Sequence, residues 1–138
     1  MIILDTNVLS ALMRNVPDVQ VVAWLDRQPR ASIWTTAVTV FEVHLGLEVM
    51  ATGKRKSVLS EEFDRLLNQI DHRVAAFDEE AGRQAANLAA ARRTKGRVIE
   101  LRDTMIAGIV LAHHASLATR NVAHFSDISA AIVNPWAA

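Results

Sequence analysis

Hydrophobic and polar positions switch between two periods along this chain, and the switches mark its elements. Ile2, Ile3 and Leu4 form a short apolar run of the buried-strand type that stops abruptly at Asp5, Thr6 and Asn7. Helical spacing begins at once behind it, over Asn7 to Arg14. Pro17 stands where a helix likes to start, Val19, Val21, Val22, Trp24 and Leu25 follow at helical spacing, and Pro29 ends the segment. Ala31 to Thr35 reads as a second strand. From Thr36, the recurrence of Val40, Val43, Leu47 and Met50 at three and four residues predicts an amphipathic helix that stops at Gly53. Ser57 to Ile70 predicts a more polar helix with Val58, Leu59, Phe63, Leu66, Leu67 and Ile70 on its buried face. Gly53, Lys54, Arg55 and Lys56 then form the tip of a helical hairpin.

Arg73 to Phe77 reads as a third strand, and Asp78 is placed to cap an alanine-rich helix running to about Lys95, before Gly96. Leu101 to His114 is strongly helical. Ser116 to Thr119 makes a fourth strand and Ala131 to Val133 a fifth. Strands separated by helices require crossover connections, so the pattern predicts an α/β fold: a central, mainly parallel sheet of four to five strands with helices on both faces. No repeat, low-complexity tract or linker divides residues 1–138, which read as a single domain.

Composition narrows the function. Half of the chain is hydrophobic, enough for one sizeable core. Fifteen basic residues balance fifteen acidic ones, so contact with nucleic acid has to be local rather than a matter of overall charge. The absence of cysteine excludes disulfides, thiolate metal sites and cysteine nucleophiles. The longest apolar run, Met105 to Ala112, is far short of the roughly 20 residues of a spanning helix, and the N-terminus does not read as a signal peptide. The expectation is a soluble, cytoplasmic protein without membrane association.

Asp5 is the first residue to suspect of chemistry, because ligands of open α/β sheets sit outside the carboxyl ends of the strands. It is equally suited to capping the next helix. Glu42 lies one turn into the helix after the second strand, inside an apolar window, where a lone Glu is ordinarily a solvated face residue. Asp103 falls in the first turn of the most hydrophobic helix, a position that the helix dipole favours for any acid. Asn121 follows the fourth strand as Asp5 follows the first. A parallel sheet would bring all four to one edge. Carboxylates gathered there repel each other unless a cation neutralises them, and hard oxygen donors without Cys or paired His favour Mg²⁺ or Mn²⁺ over zinc. Such a site activates water and stabilises the charge developing on a phosphate.

Taken together, these segments resemble a PIN-domain ribonuclease of the VapC toxin family, in its FitB-like branch. The resemblance spans nearly the whole chain. It rests on Leu4 to Ser10, on Thr39 with Phe41, Glu42, Val43 and Gly46, on Arg102 to Ala107, and on Leu117 to Val122 with His124 and Phe125; Asn134, Pro135 and Trp136 add to it. It implies a PIN-like three-layer fold and an Mg²⁺-dependent endoribonuclease, with Mn²⁺ as a substitute, acting as the toxin of a type II toxin–antitoxin pair. Asp5, Glu42 and Asp103 match the metal-holding acids. Asn121 matches a position that the family fills with Asp or Asn, and Thr6 and Thr119 match hydroxyl residues lining the site. The resemblance further implies an RNA substrate, a cognate antitoxin and a homodimer that assembles further with it. The alternative is a PIN-derived binding or regulatory module without catalysis.

Other residues carry less. His44, His113 and His114 invite a metal or general-base reading, but His113 and His114 are adjacent and cannot share a helix face, and they read as helix-end residues; His72 and His124 have no partner at ligand spacing. Two basic clusters, Lys54 to Lys56 and Arg92, Arg93, Lys95 and Arg97, read as solvated charge, with RNA phosphate as the functional option. Trp24, Trp34 and Trp136 read as core or interface anchors. A phosphatase of the haloacid dehalogenase type needs an Asp where Asn7 stands. An aspartic protease needs a Gly at that same position and a second copy of the motif.

Overall fold

Ile2–Leu4 (β1), Ile33–Thr36 (β2), Val74–Ala75 (β3), Ser116–Ala118 (β4) and Ile132–Val133 (β5) form one sheet in the computed structural model, which describes residues 1–138. Their spatial order is β3-β2-β1-β4-β5, and every pairing is parallel. The chain builds outward from β1 to β2 and β3, then crosses to β4 and β5 on the other side. The strand order therefore reverses between β1 and β4, and connections leaving that point diverge to open a crevice at the carboxyl ends.

Six helices cover the sheet: Thr6–Met13 (α1), Val19–Asp26 (α2), Ala37–Val49 (α3), Lys54–Gln69 (α4), Glu79–Thr94 (α5) and Leu101–Ala112 (α6). Successive residues of a strand point to opposite faces, so β1 feeds two cores. Ile3 packs with Ala81, Leu88, Ile106, Val110 and Phe125. Leu4 packs on the other face with Val8, Leu12, Val21, Trp24, Val43 and Phe63. The result is the three-layer α/β arrangement that the hydrophobic pattern predicts. Between α5 and α6 the backbones come unusually close. A Cβ on Gly108 would lie 2.5 Å from the carbonyl oxygen of Ala81 and 2.7 Å from the Cβ of Ala85, so the small residues on both helices set their separation.

Several boundaries differ from the sequence expectation. Pro17 precedes α2 rather than starting it, because the Asp18 side chain accepts hydrogen bonds from the amides of Gln20 and Val21 and caps the helix. Arg30–Ser32 is a 3-10 turn, which delays β2 to Ile33. β3 is two residues long instead of five; the Arg73 side chain reaches back to the carbonyls of Ile33 and Arg30, at 2.8 and 2.7 Å. The basic triplet Lys54 to Lys56 is the first turn of α4 and not a hairpin loop. Three cations there oppose the helix dipole, but Lys and Arg are good helix formers, and the packing of Leu59, Phe63 and Leu66 outweighs the electrostatic penalty.

Candidate active site

Asp5 follows β1 directly, at the reversal of strand order. Its backbone amide continues the sheet to the carbonyl of Ala118 at 2.9 Å, and its side chain caps α1 through the Thr6 amide at 2.8 Å. The capping reading is thus correct for one carboxylate oxygen. Oδ2 turns instead toward β4, where it accepts from the Thr119 hydroxyl at 2.7 Å and from the Asn7 amide group at 3.2 Å. Asp5 is 3% exposed. A carboxylate so placed is one whose environment, rather than helix capping alone, dictates its chemistry.

Glu42 and Asp103 arrive from α3 and α6. Thr36 ends β2 and caps α3 by accepting from the Thr39 amide at 3.0 Å, which fixes where the first turn of that helix points. Thr6 then donates to Glu42 Oε1 at 2.9 Å, tying α1 to α3 across the crevice. Asp103 lies in the first turn of α6, and its Oδ2 meets Nδ1 of His124 at 2.9 Å. The Glu42 and Asp103 side chains are 21% and 19% exposed, neither a freely solvated surface acid. Burial pushes the Asp5 carboxyl pKa above its ordinary value. The Thr119 and Thr6 hydrogen bonds oppose that rise, and the like charges of Asp103 and Glu42 add to it. The three acids therefore share one electrostatic site.

No group of three or more His, Asp and Glu side chains is drawn together as a ready-made metal cage. Each acid is held instead by a neutral or basic neighbour: Asp5 by Thr119, Glu42 by Thr6 and Arg102, Asp103 by His124. The donor set itself fits a hard divalent cation, since it is all oxygen and carries mutually repelling charge. Asn121 sits beside this set through its backbone, its amide donating to the Thr119 hydroxyl at 3.1 Å, while the residue is exposed and its side chain makes no capping bond. Thr6 and Thr119 both hold acids, a more direct part than turn chemistry.

Two arginines rim the crevice. Arg102 lies over the Phe41 ring at 5.2 Å and 3.7 Å from Glu42, and Arg120 lies over the Trp136 ring at 4.8 Å. Arg120 also donates its amide to Asn7 Oδ1 at 3.0 Å. In the second basic cluster Arg93 and Lys95 are exposed as expected, but Arg92 is not solvated charge: it is 3% exposed and bonded to Asp127. His124 likewise has a partner, Asp103, that ligand-spacing rules within one helix could not reveal. The available signal was its place just before Phe125, a fully buried residue that anchors the 3-10 turn Val122–Phe125.

Fold and site together define a doubly wound α/β domain that presents acids at a topological switch point. The chain belongs to the PIN domain family, whose model matches residues 2–130. It is 39% identical over 137 residues to "VapC ribonuclease Y4jK" of Sinorhizobium fredii, covering 99% of this chain and 98% of that one. Toxin FitB of Neisseria gonorrhoeae is 36% identical over 137 residues, with 99% of each chain covered. A crystal structure of FitAcB from the same species superposes with a TM-score of 0.89 at 36% identity, again over 99% of each chain.

Proposed function

We propose that this chain is a divalent-metal-dependent endoribonuclease, the toxin of a type II toxin–antitoxin pair acting in the cytoplasm. The position of Asp5 at the strand-order reversal, with the charges of Glu42 and Asp103 acting on it, carries this reading. The full-length likeness to a VapC ribonuclease and a FitB toxin supports it. Asp5, Glu42 and Asp103 would hold Mg²⁺, or Mn²⁺ in its place, and Asn121 stands where a further oxygen ligand would be recruited. When bound, the metal supplies an activated water and neutralises charge on the phosphate. The chain does the rest. Thr119 favours the ionised form of Asp5 and fixes its Oδ2, Thr6 orients Glu42, and Arg102 and Arg120 offer guanidinium groups to flanking phosphates.

RNA hydrolysis with and without Mg²⁺ or Mn²⁺ tests this. Asp5→Asn and Asp103→Asn should each abolish metal-dependent cleavage in a folded protein, and unchanged cleavage by either variant removes that acid from the mechanism. A binding module without catalysis would leave RNA intact with every metal. Asn121 supplies no negative charge, so the RNA-free protein should bind one Mn²⁺ firmly and a second weakly, and Asn121→Asp should tighten the second. Two equally tight sites in the wild type, read by calorimetry, contradict this. An open acidic crevice needs restraint in a cell. The antitoxin side chain suited to it is an arginine, which competes with the metal through bidentate hydrogen bonds to the acids. The partnership includes a homodimer that assembles further with the antitoxin, and light scattering of the isolated chain checks the first half.

A further inference from the structure

Arg92 is a buried cation far along α5, outside the acid crevice, and four hydrogen bonds radiate from it. Nε and one terminal nitrogen grip Asp127 as a fork, at 2.8 and 2.9 Å. That same terminal nitrogen donates to the His124 carbonyl at 2.8 Å, and the other donates to the Thr104 hydroxyl at 3.1 Å. Arg97 reinforces the grip through Asp127 at 3.0 Å and the Ala123 carbonyl at 2.8 Å. A buried guanidinium is a poor way to gain stability, since apolar residues of similar volume usually do as well or better. Its contacts explain its presence in another way. Thr104 is the neighbour of Asp103 on α6, and it also bonds the Glu100 carbonyl at 2.8 Å at the start of that helix. His124 is the residue whose ring meets Asp103 at 2.9 Å.

We propose that Arg92, with Asp127, is a positioning residue for the acid site: it fixes both α6 and the 122–125 turn so that His124 and Asp103 meet in one orientation. Lysine cannot replace it, because a single ammonium lacks the planar fork that reaches three elements at once. Outer-shell partners of this kind typically change metal affinity by about 10- to 100-fold when removed. The proposal rests on Asp103 as a metal-holding acid, and the experiment separates the two ideas.

Mn²⁺ affinity of the RNA-free protein is measured by calorimetry for Arg92→Lys, Asp127→Asn, His124→Ala, Arg92→Lys with His124→Ala, and Asp103→Asn, with urea unfolding alongside. The expected result is a loss of about tenfold or more in each of the first three. The double variant should be no worse than its weaker single parent, because both changes break the same chain of contacts. The His124 ring resonances of metal-free Arg92→Lys should also move, which a defect confined to packing elsewhere would not produce. Where Arg92→Lys does not fold, Asp127→Asn, of nearly unchanged shape, decides. Wild-type affinity in the folded clamp variants, or losses that multiply in the double, overturns the clamp while a loss in Asp103→Asn leaves the metal reading standing. Unchanged affinity in Asp103→Asn overturns both.

Discussion

Replacing Thr119 by Val removes one oxygen from the centre of the site while keeping nearly the same shape. That hydroxyl is fully buried; it donates to Asp5 Oδ2 at 2.7 Å and accepts from the Asn121 and Asn7 nitrogens at 3.1 and 3.3 Å. A hydrogen bond to a charged group contributes about 1.5–3 kcal/mol. This one is stronger to the ionised carboxylate than to the neutral acid, so its loss drives the Asp5 pKa further up, beyond the rise that burial already causes. Metal ligation needs the ionised form. At a pH below the Asp5 pKa, Mn²⁺ affinity should fall by about 10- to 150-fold, the same energy converted at about 1.4 kcal/mol per decade, and the pH profile of binding should move upward. The sign for stability is opposite to that of an ordinary surface acid. A folded pKa above the ordinary value of 3.8 means that the metal-free fold binds more protons than the unfolded chain. Stability is then fully present at low pH and declines as pH rises through the folded pKa, more steeply in Thr119→Val. Calorimetric Mn²⁺ titration across pH and urea denaturation read both effects. A binding profile superimposable on that of the wild type would refute the link between Thr119 and the ionisation of Asp5.

Two glycines of the α5–α6 pair should respond with opposite signs. Gly108→Ala forces a methyl against the Ala81 carbonyl and costs about 1–3 kcal/mol before any gain in helix propensity, whereas Gly82→Ala meets nothing within 4 Å and should stabilise by up to about 1 kcal/mol, both read from urea midpoints. The Arg92 hydrogen bond and charge hold the Asp127 carboxyl below its ordinary pKa. Its stabilising contribution is therefore present above the unfolded value of 3.8 and lost as pH falls through the folded one. Asp127→Asn should flatten the acid limb of the stability curve, and an acid limb identical to that of the wild type counts against the pairing.

The sheet and most helices were legible because each depends on local pattern. The Ile2–Leu4 run, the Asp78 cap and Gly96 at φ +69 signal their elements within a few residues. Asp5 was legible for the same reason, since the break from apolar strand to acid is a nearest-neighbour event. Arg92 and His124 were not. Their partners lie 35 and 21 residues away, and a guanidinium in an Arg-Arg pair looks like surface charge until Asp127 folds beneath it. The basic start of α4 was obscured because local charge argues for a loop while packing several turns later argues for a helix. At Arg92 and His124 a distant contact overrode the local preference, whereas the shifted starts of α2 and β2 follow from the neighbouring Asp18 cap and Arg30–Ser32 turn.

The central strand of this sheet precedes the other four in the chain. Synthesis delivers Asp5 114 residues before its hydroxyl partner Thr119, and β1 gains β4 as a neighbour only when Ser116 to Ala118 have appeared. Asp103 and its turn also come late. A nascent chain emerging from the ribosome therefore carries one acid of the crevice long before it can build the crevice. The assembled edge arises only after the segment through Thr119 has left the exit tunnel, so translation products that stop before it retain the Asp5 motif without the site it belongs to.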